Sequence, residues 1–118
     1  MKTVSIFTII LAILFTANSS YAQSLKTDSI KVWGNCGMCK ETIEKAAKSA
    51  GAKTANWNED THQLSVEYAE KKTNALKIQQ AIAKAGYDTQ DVKGSDAAYN
   101  KLHGCCKYER KATEPAKQ

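Results

Sequence analysis

Within eight residues, Trp33 to Lys40 (W-G-N-C-G-M-C-K), the apolar pattern of this chain changes from a period of two to a helical one, and two cysteines stand on the change. Upstream, Ser29 to Trp33 alternates, with Ile30 and Val32 on one face and Lys31 on the other, as a half-buried strand does. Gly34-Asn35 is a turn signal. Downstream, from about Met38 to Ala50, the residues Ile43, Ala46, Ala47 and Ala50 follow one helix face, while Glu41, Glu44, Lys45 and Lys48 fall outside it. Cys36 and Cys39 are therefore placed on a strand-to-helix loop, the second in the first turn of the helix. Unpaired N–H groups at a helix start carry partial positive charge and favour thiolate over thiol. Thiolates bind soft metal ions and attack disulfides. The motif thus points to metal capture or to thiol–disulfide exchange, with a structural disulfide as the plain alternative.

The remaining elements follow from the same reading. Gly51 ends the first helix as a C-cap residue. Ala52 to Asn58 reads as a second strand with Ala55 and Trp57 on one face, and Asn58-Glu59-Asp60-Thr61 as a turn. His62 to Tyr68 alternates with Leu64, Val66 and Tyr68 inward, which completes a hairpin; His62 is an ordinary strand residue there. Thr73 or Asn74 can cap a second helix running to about Ala85, with a stripe of Ala75, Ile78, Ile82 and Ala85, and Gly86 ends it. Tyr87 to Lys93 is expected to form a short polar fourth strand, with Val92 inward. The order predicts an α+β, ferredoxin-like βαββαβ domain: a four-stranded antiparallel sheet, two helices on one face, and a C-terminal Cys-Cys tail.

The expected organisation is a leader at residues 1–22, the domain at 23–93 and the tail at 94–118. Met1-Lys2 is basic, Val4 to Phe15 is mostly apolar, and Ser20-Tyr21-Ala22 has the small residues of a cleavage site, as in a secretory signal peptide. The apolar run is shorter than the ~18–20 residues a bilayer span needs, so no stable membrane insertion is expected after cleavage. Losing the leader removes one lysine and no acid, and the net charge of +5 becomes +4. The charges are interspersed, without the dense basic patch and aromatic platforms of a nucleic-acid binder.

All four cysteines, Cys36, Cys39, Cys105 and Cys106, follow the leader. In a small exported chain four cysteines ordinarily read as two staples. Here one pair is C-x-x-C and the other is vicinal, and bonding within either closes almost no loop. Cross-pairing would tie the tail to the domain. Gly94-Ser95-Asp96 marks the boundary between them, and Lys111 to Gln118, which holds the only proline, is expected to fray.

With C-x-x-C on the first strand-to-helix loop, this element order, and Ala85-Gly86-Tyr87-Asp88 after the second helix, the chain from Ser29 to Val92 resembles the heavy-metal-associated domain family. That family includes copper chaperones and the periplasmic mercury-binding protein. Its usual Gly-Met-Thr or Gly-Met-Ser before the first cysteine is replaced by Trp33-Gly34-Asn35, which removes the methionine that packs beneath the loop. The resemblance implies a periplasmic carrier of soft metal ions and not an enzyme. Such a carrier would hold the ion at Cys36 and Cys39 and pass it by thiolate exchange to a metal-transporting or metal-accepting protein.

Soft thiolates favour Cu(I), with Hg(II) and Ag(I) close behind; Zn(II), which prefers four ligands, is a poorer match to two cysteines. Lys40 can offset the charge of a bis-thiolate complex or be a solvated helix residue; Tyr87 would approach the loop in the family geometry, with a core or rim aromatic the plainer reading; and the Met38 thioether is a weak soft ligand where such a residue more often packs or points to solvent. In the tail, Leu102-His103-Gly104-Cys105-Cys106 gathers an imidazole and two thiols. Either the tail folds back and adds Cys105, Cys106 or both to the first pair, or it is a second site that receives or hands on metal, with His103 as a further ligand. The competing readings are a redox protein cycling the Cys36–Cys39 disulfide and a structural module with two disulfides. Against the redox reading, no proline is placed to form a cis bond facing the thiols.

Overall fold

The computed structural model describes residues 24–111, so the leader expected at residues 1–22 and the chain end beyond Lys111 lie outside the described residues. Strand β1 (Leu25–Lys31), helix α1 (Gly37–Ser49), strands β2 (Thr54–Trp57) and β3 (Gln63–Ala69) and helix α2 (Ala75–Lys84) follow in order; then come a short helix α3 (Asp96–Asn100) and one turn of 3-10 helix at Gly104–Cys106. β3 is central, with β1 and β2 antiparallel on either side. Ile30 and Trp57 both pair with Leu64, so one row across the sheet is apolar. Onto that row and Val66 pack Ile43 and Ala47 of α1 and Ile78 and Ile82 of α2, the stripes read from helical spacing. Asn74 caps α2 by accepting the Lys77 N–H at 2.9 Å. β1 begins at Leu25 rather than Ser29: Leu25 to Asp28 pair with Val66 to Ala69, and an edge strand whose outer half faces water needs no apolar alternation.

The expected four-stranded sheet is not formed. Where a strand from Tyr87 to Lys93 was predicted, a single antiparallel bridge joins Val32 to Thr89 beside β1. Trp33 N–H donates to the Asp88 carbonyl and Gln90 N–H to the Lys31 carbonyl, both at 2.9 Å, and the pairing stops there. The chain turns because side chains capture its backbone donors. Gln79 Oε1 accepts the Asp91 N–H at 2.9 Å, Thr89 Oγ1 the Val92 N–H at 3.1 Å, and Asp88 Oδ1 the Gly94 N–H at 2.7 Å. Asp, Thr and Gln at these places compete with a ladder as turn formers do. Val92 is only half-buried, and Tyr87, Asp88 and Thr89 are the buried members of the segment.

The tail lies on the domain where that strand ends. Gly86 has φ +106°, and the backbone of α3 comes so close that a Cβ there would stand 2.9 Å from the Tyr99 nitrogen. Tyr108 is buried; its hydroxyl donates to the Gly86 carbonyl at 2.7 Å and accepts the Asp88 N–H at 2.8 Å. Its ring stacks on Tyr87 at 5.6 Å and meets the edge of Tyr99 at 5.1 Å. Arg110 closes the arrangement: its Nε and Nη2 reach the two oxygens of buried Asp88 at 3.1 and 2.7 Å, and Nη1 pairs with Asp96.

Burial alone would raise the Asp88 carboxyl, but hydrogen bonds from Arg110 and from the N–H groups of Gly94 and Lys111 outweigh it and hold it below its ordinary value. A carboxyl depressed on folding contributes stability that is fully present above its unfolded pKa of about 3.9 and is lost as pH falls through the lower folded value. Denaturant melts of wild type and Asp88→Asn between about pH 6 and about pH 2.5 should therefore converge in acid, the wild type losing its advantage below about pH 4. Parallel pH profiles would show that the pair does not anchor the tail.

Candidate metal centre

The cysteine loop rests directly on the core. Gly34 is buried, and a Cβ there would stand 3.0 Å from the Trp57 indole and 3.2 Å from Ile43 Cδ1, so a larger residue would press on the core side chains beneath the loop. Trp57 is fixed in turn by its indole N–H, which donates to the Val32 carbonyl at 2.9 Å. Cys36 is the extended N-cap residue of α1, and its carbonyl accepts the Lys40 N–H at 3.0 Å. The backbone N–H groups of Cys39 and then Met38, at the start of the helix, hold the Cys36 thiol below its ordinary pKa. Cys36 thus stands at the position where serine or aspartate often caps a helix, but its side chain makes no capping hydrogen bond.

Three sulfurs converge. Cys36 Sγ is 3.9 Å from Cys39 Sγ and 4.0 Å from Cys106 Sγ, and the three lie within 4.8 Å of one another. These separations exceed the ~2.0 Å of a disulfide, and all four cysteines are free thiols. They match a shared ion instead. Metal–sulfur bonds of about 2.3 Å place two sulfurs about 4.6 Å apart in a linear site and about 4.0 Å apart in a trigonal one. Cys39 is 0% exposed and Cys106 3%, so only Cys36 opens to solvent. Three soft donors, two of them buried, are a ligand set for a soft ion.

The electrostatics follow from burial. Desolvation, then the neighbouring Cys39 thiol, pushes the Cys106 thiol well up. The Tyr87 hydroxyl is fully buried and has no hydrogen-bond partner among the described residues. Burial, then the neighbouring Cys39 and Cys106, hold it well above its ordinary pKa.

The other sequence candidates fall into two groups. Met38 is 49% exposed on the rim, its Sδ 3.5 Å from the exposed Cys105 Sγ. Cys105 Sγ is 4.0 Å from Cys106 Sγ, outside the buried trio. Lys40 turns away from the thiols, bound to Glu44 at 2.6 Å, Asn56 Oδ1 at 2.7 Å and the Trp57 carbonyl at 2.9 Å. His103 is exposed and is not part of the donor group found among the described residues. His62 stacks on Trp57 at 5.7 Å, with φ +61° at the end of the hairpin turn.

Tyr108 and Arg110, which together with Asp88 of the Ala85-Gly86-Tyr87-Asp88 run seat Cys106, were not singled out in the sequence; an aromatic inside a polar tail was the signal for Tyr108. At the start of the loop, Lys31 and Lys111 lie 5.0 and 5.6 Å from the centre of the Trp33 ring. No helix among the described residues is long and apolar enough to cross a membrane.

A model described as the heavy-metal-associated domain matches residues 35–88, which takes in Cys36, Cys39 and Tyr87 but stops short of the tail. Among solved structures, a CopZ metallochaperone is 32% identical with a TM-score of 0.52, over 54% of this chain and 98% of that one. Oxidized MerP from Ralstonia metallidurans CH34 is 29% identical with a TM-score of 0.53, over 57% of this chain and 96% of that one. A putative copper-ion-binding protein from Bacillus anthracis str. Ames, 22% identical with a TM-score of 0.54 over 58% of this chain and all of that one, shares the fold. No curated protein matches the chain.

Proposed function

This chain belongs to the heavy-metal-associated domain family, and from that premise we propose that it is an exported carrier of soft metal ions, Cu(I) first among them, that holds its ion between Cys36, Cys39 and Cys106. The observation that carries this reading is the third sulfur: Cys106 Sγ, brought back by the tail, stands 4.0 Å from Cys36 Sγ. Cu(I) accepts three thiolates without demanding a fourth ligand, and Hg(II) and Ag(I) share that tolerance, whereas Zn(II) prefers a closed tetrahedron. The ion is cargo and nothing is chemically transformed, so the protein is a carrier and not an enzyme. Half-open Cys36 is the sulfur a partner's thiolate can approach while Cys39 and Cys106 still hold the ion. The periplasm is the compartment proposed, from the leader read in the sequence, and a metal-transporting or metal-accepting protein is the partner.

The test is an anaerobic competition titration of the reduced mature protein with Cu(I) against a chromogenic chelator. One tightly held ion per chain is expected. The competing reading, a disulfide cycle between Cys36 and Cys39, is favoured by the lowered Cys36 pKa. It predicts no competition with the chelator, and a reduction potential in the range of about −120 to −270 mV spanned by thiol oxidoreductases.

A further inference from the structure

Beyond the buried trio, the sulfurs form an unbroken file to the surface. Met38 Sδ and Cys105 Sγ are 3.5 Å apart, Cys105 Sγ and Cys106 Sγ 4.0 Å, Cys106 Sγ and Cys36 Sγ 4.0 Å, and Cys36 Sγ and Cys39 Sγ 3.9 Å. Its outer end is open, with Met38 49% exposed and Cys105 exposed, and its inner end is dry. The two outer sulfurs come from different parts of the chain, Met38 from the first turn of α1 and Cys105 from the 3-10 turn of the tail. The Cys105 carbonyl, 3.5 Å from Cys36 Sγ, holds that turn against the loop.

We propose that Cys105 and Met38 form an outer soft-metal site, a port through which the ion passes to and from the buried trio. This rests on the carrier reading above. A thiolate paired with a neutral thioether is a weaker set than three thiolates, so the ion rests there only in passing. Cys105 loses its thiol proton to water, and its sulfur and the Met38 thioether bond the incoming Cu(I) before the donor's ligand departs. Cys106, Cys36 and Cys39 then bond the ion, likewise releasing their protons, the Cys105–Cu and Met38–Cu bonds break, and the Cys105 thiolate takes up a proton again. The ion keeps its oxidation state and never holds fewer than two ligands. Unloading is the reverse.

A port speeds passage in both directions equally and leaves the equilibrium to the buried ligands. The experiment is anaerobic stopped-flow on the full mature chain, as wild type, Cys105→Ser and Met38→Leu. Loading is followed from a Cu(I)–bicinchoninate complex, and stripping of the loaded protein by excess bathocuproine disulfonate. Both rates should fall together, at least about tenfold in Cys105→Ser and by a smaller common factor in Met38→Leu. Wild-type rates in both variants, with tight binding intact, would overturn the port and leave the carrier standing. Faster stripping with unchanged loading would also overturn it, by making Cys105 an equilibrium ligand. A wild type that cannot hold Cu(I) against the chelator would bring down the carrier reading and the port with it.

Discussion

Cys106→Ala is expected to hold Cu(I) at least about ten- to hundredfold more weakly than the wild type, since even the loss of a partner outside the ligand shell commonly has that effect on a metal site. Two sulfurs would remain, Cys36 and Cys39, 3.9 Å apart, in the arrangement the C-x-x-C loop alone provides. The change is legible in the ion's surroundings as well as its affinity. X-ray absorption should count three sulfurs around Cu(I) in the wild type and two in the variant. The substitution is mild for the fold, because cysteine is small and Cys106 donates no side-chain hydrogen bond to oxygen or nitrogen among the described residues. Undiminished affinity, or two sulfurs in both proteins, would reduce Cys106 to a neighbour of the site.

The second large effect lies away from the sulfurs. Tyr108→Ala removes a buried aromatic and should destabilise the protein by roughly 3–5 kcal/mol, the range for large core aromatics. Tyr108→Phe keeps the ring but leaves the Gly86 carbonyl and the Asp88 N–H unpaired, which costs about 1–3 kcal/mol. Because the same ring seats the segment that carries Cys106, Tyr108→Ala should also bind Cu(I) as weakly as Cys106→Ala. Urea melts with and without Cu(I) separate the two consequences. An ion at a hundred times its dissociation constant adds about 2.7 kcal/mol to a protein that binds it only when folded. At equal free Cu(I), that increment should shrink in Tyr108→Ala and persist in Tyr108→Phe. Equal increments in all three proteins would mean that the tail's seat and the metal site are independent.

These two effects bear on what could be read in advance. The stripe Ile43, Ala47 and the stripe Ile78, Ile82 were legible because a helix face repeats every three to four residues, and the hairpin because Leu64, Val66 and Tyr68 alternate. The fourth strand was misread because Asp88, Thr89 and Gln79 form hydrogen bonds with one another and with the backbone around residues 88–94; which partner a polar side chain meets is not written in its neighbours. Tyr87 was expected near the loop from the family's geometry, with a core or rim aromatic the plainer alternative; its ring is fully buried and its hydroxyl has no hydrogen-bond partner among the described residues.

What the sequence by itself determined is local: a C-x-x-C pair on a strand-to-helix loop, the two apolar helix stripes, the hairpin, and the family these imply. Period, turn residues and cap residues act over a few positions, so a short window contains them. What only the tertiary structure decided is the third thiol. Cys106 lies 70 residues from Cys36, and no periodicity links them. Their meeting depends on Arg110 closing on Asp88, Tyr108 filling the space under Gly86, and Gly86 letting α3 come close. Each is a contact between distant segments, favourable only once the rest of the core has formed.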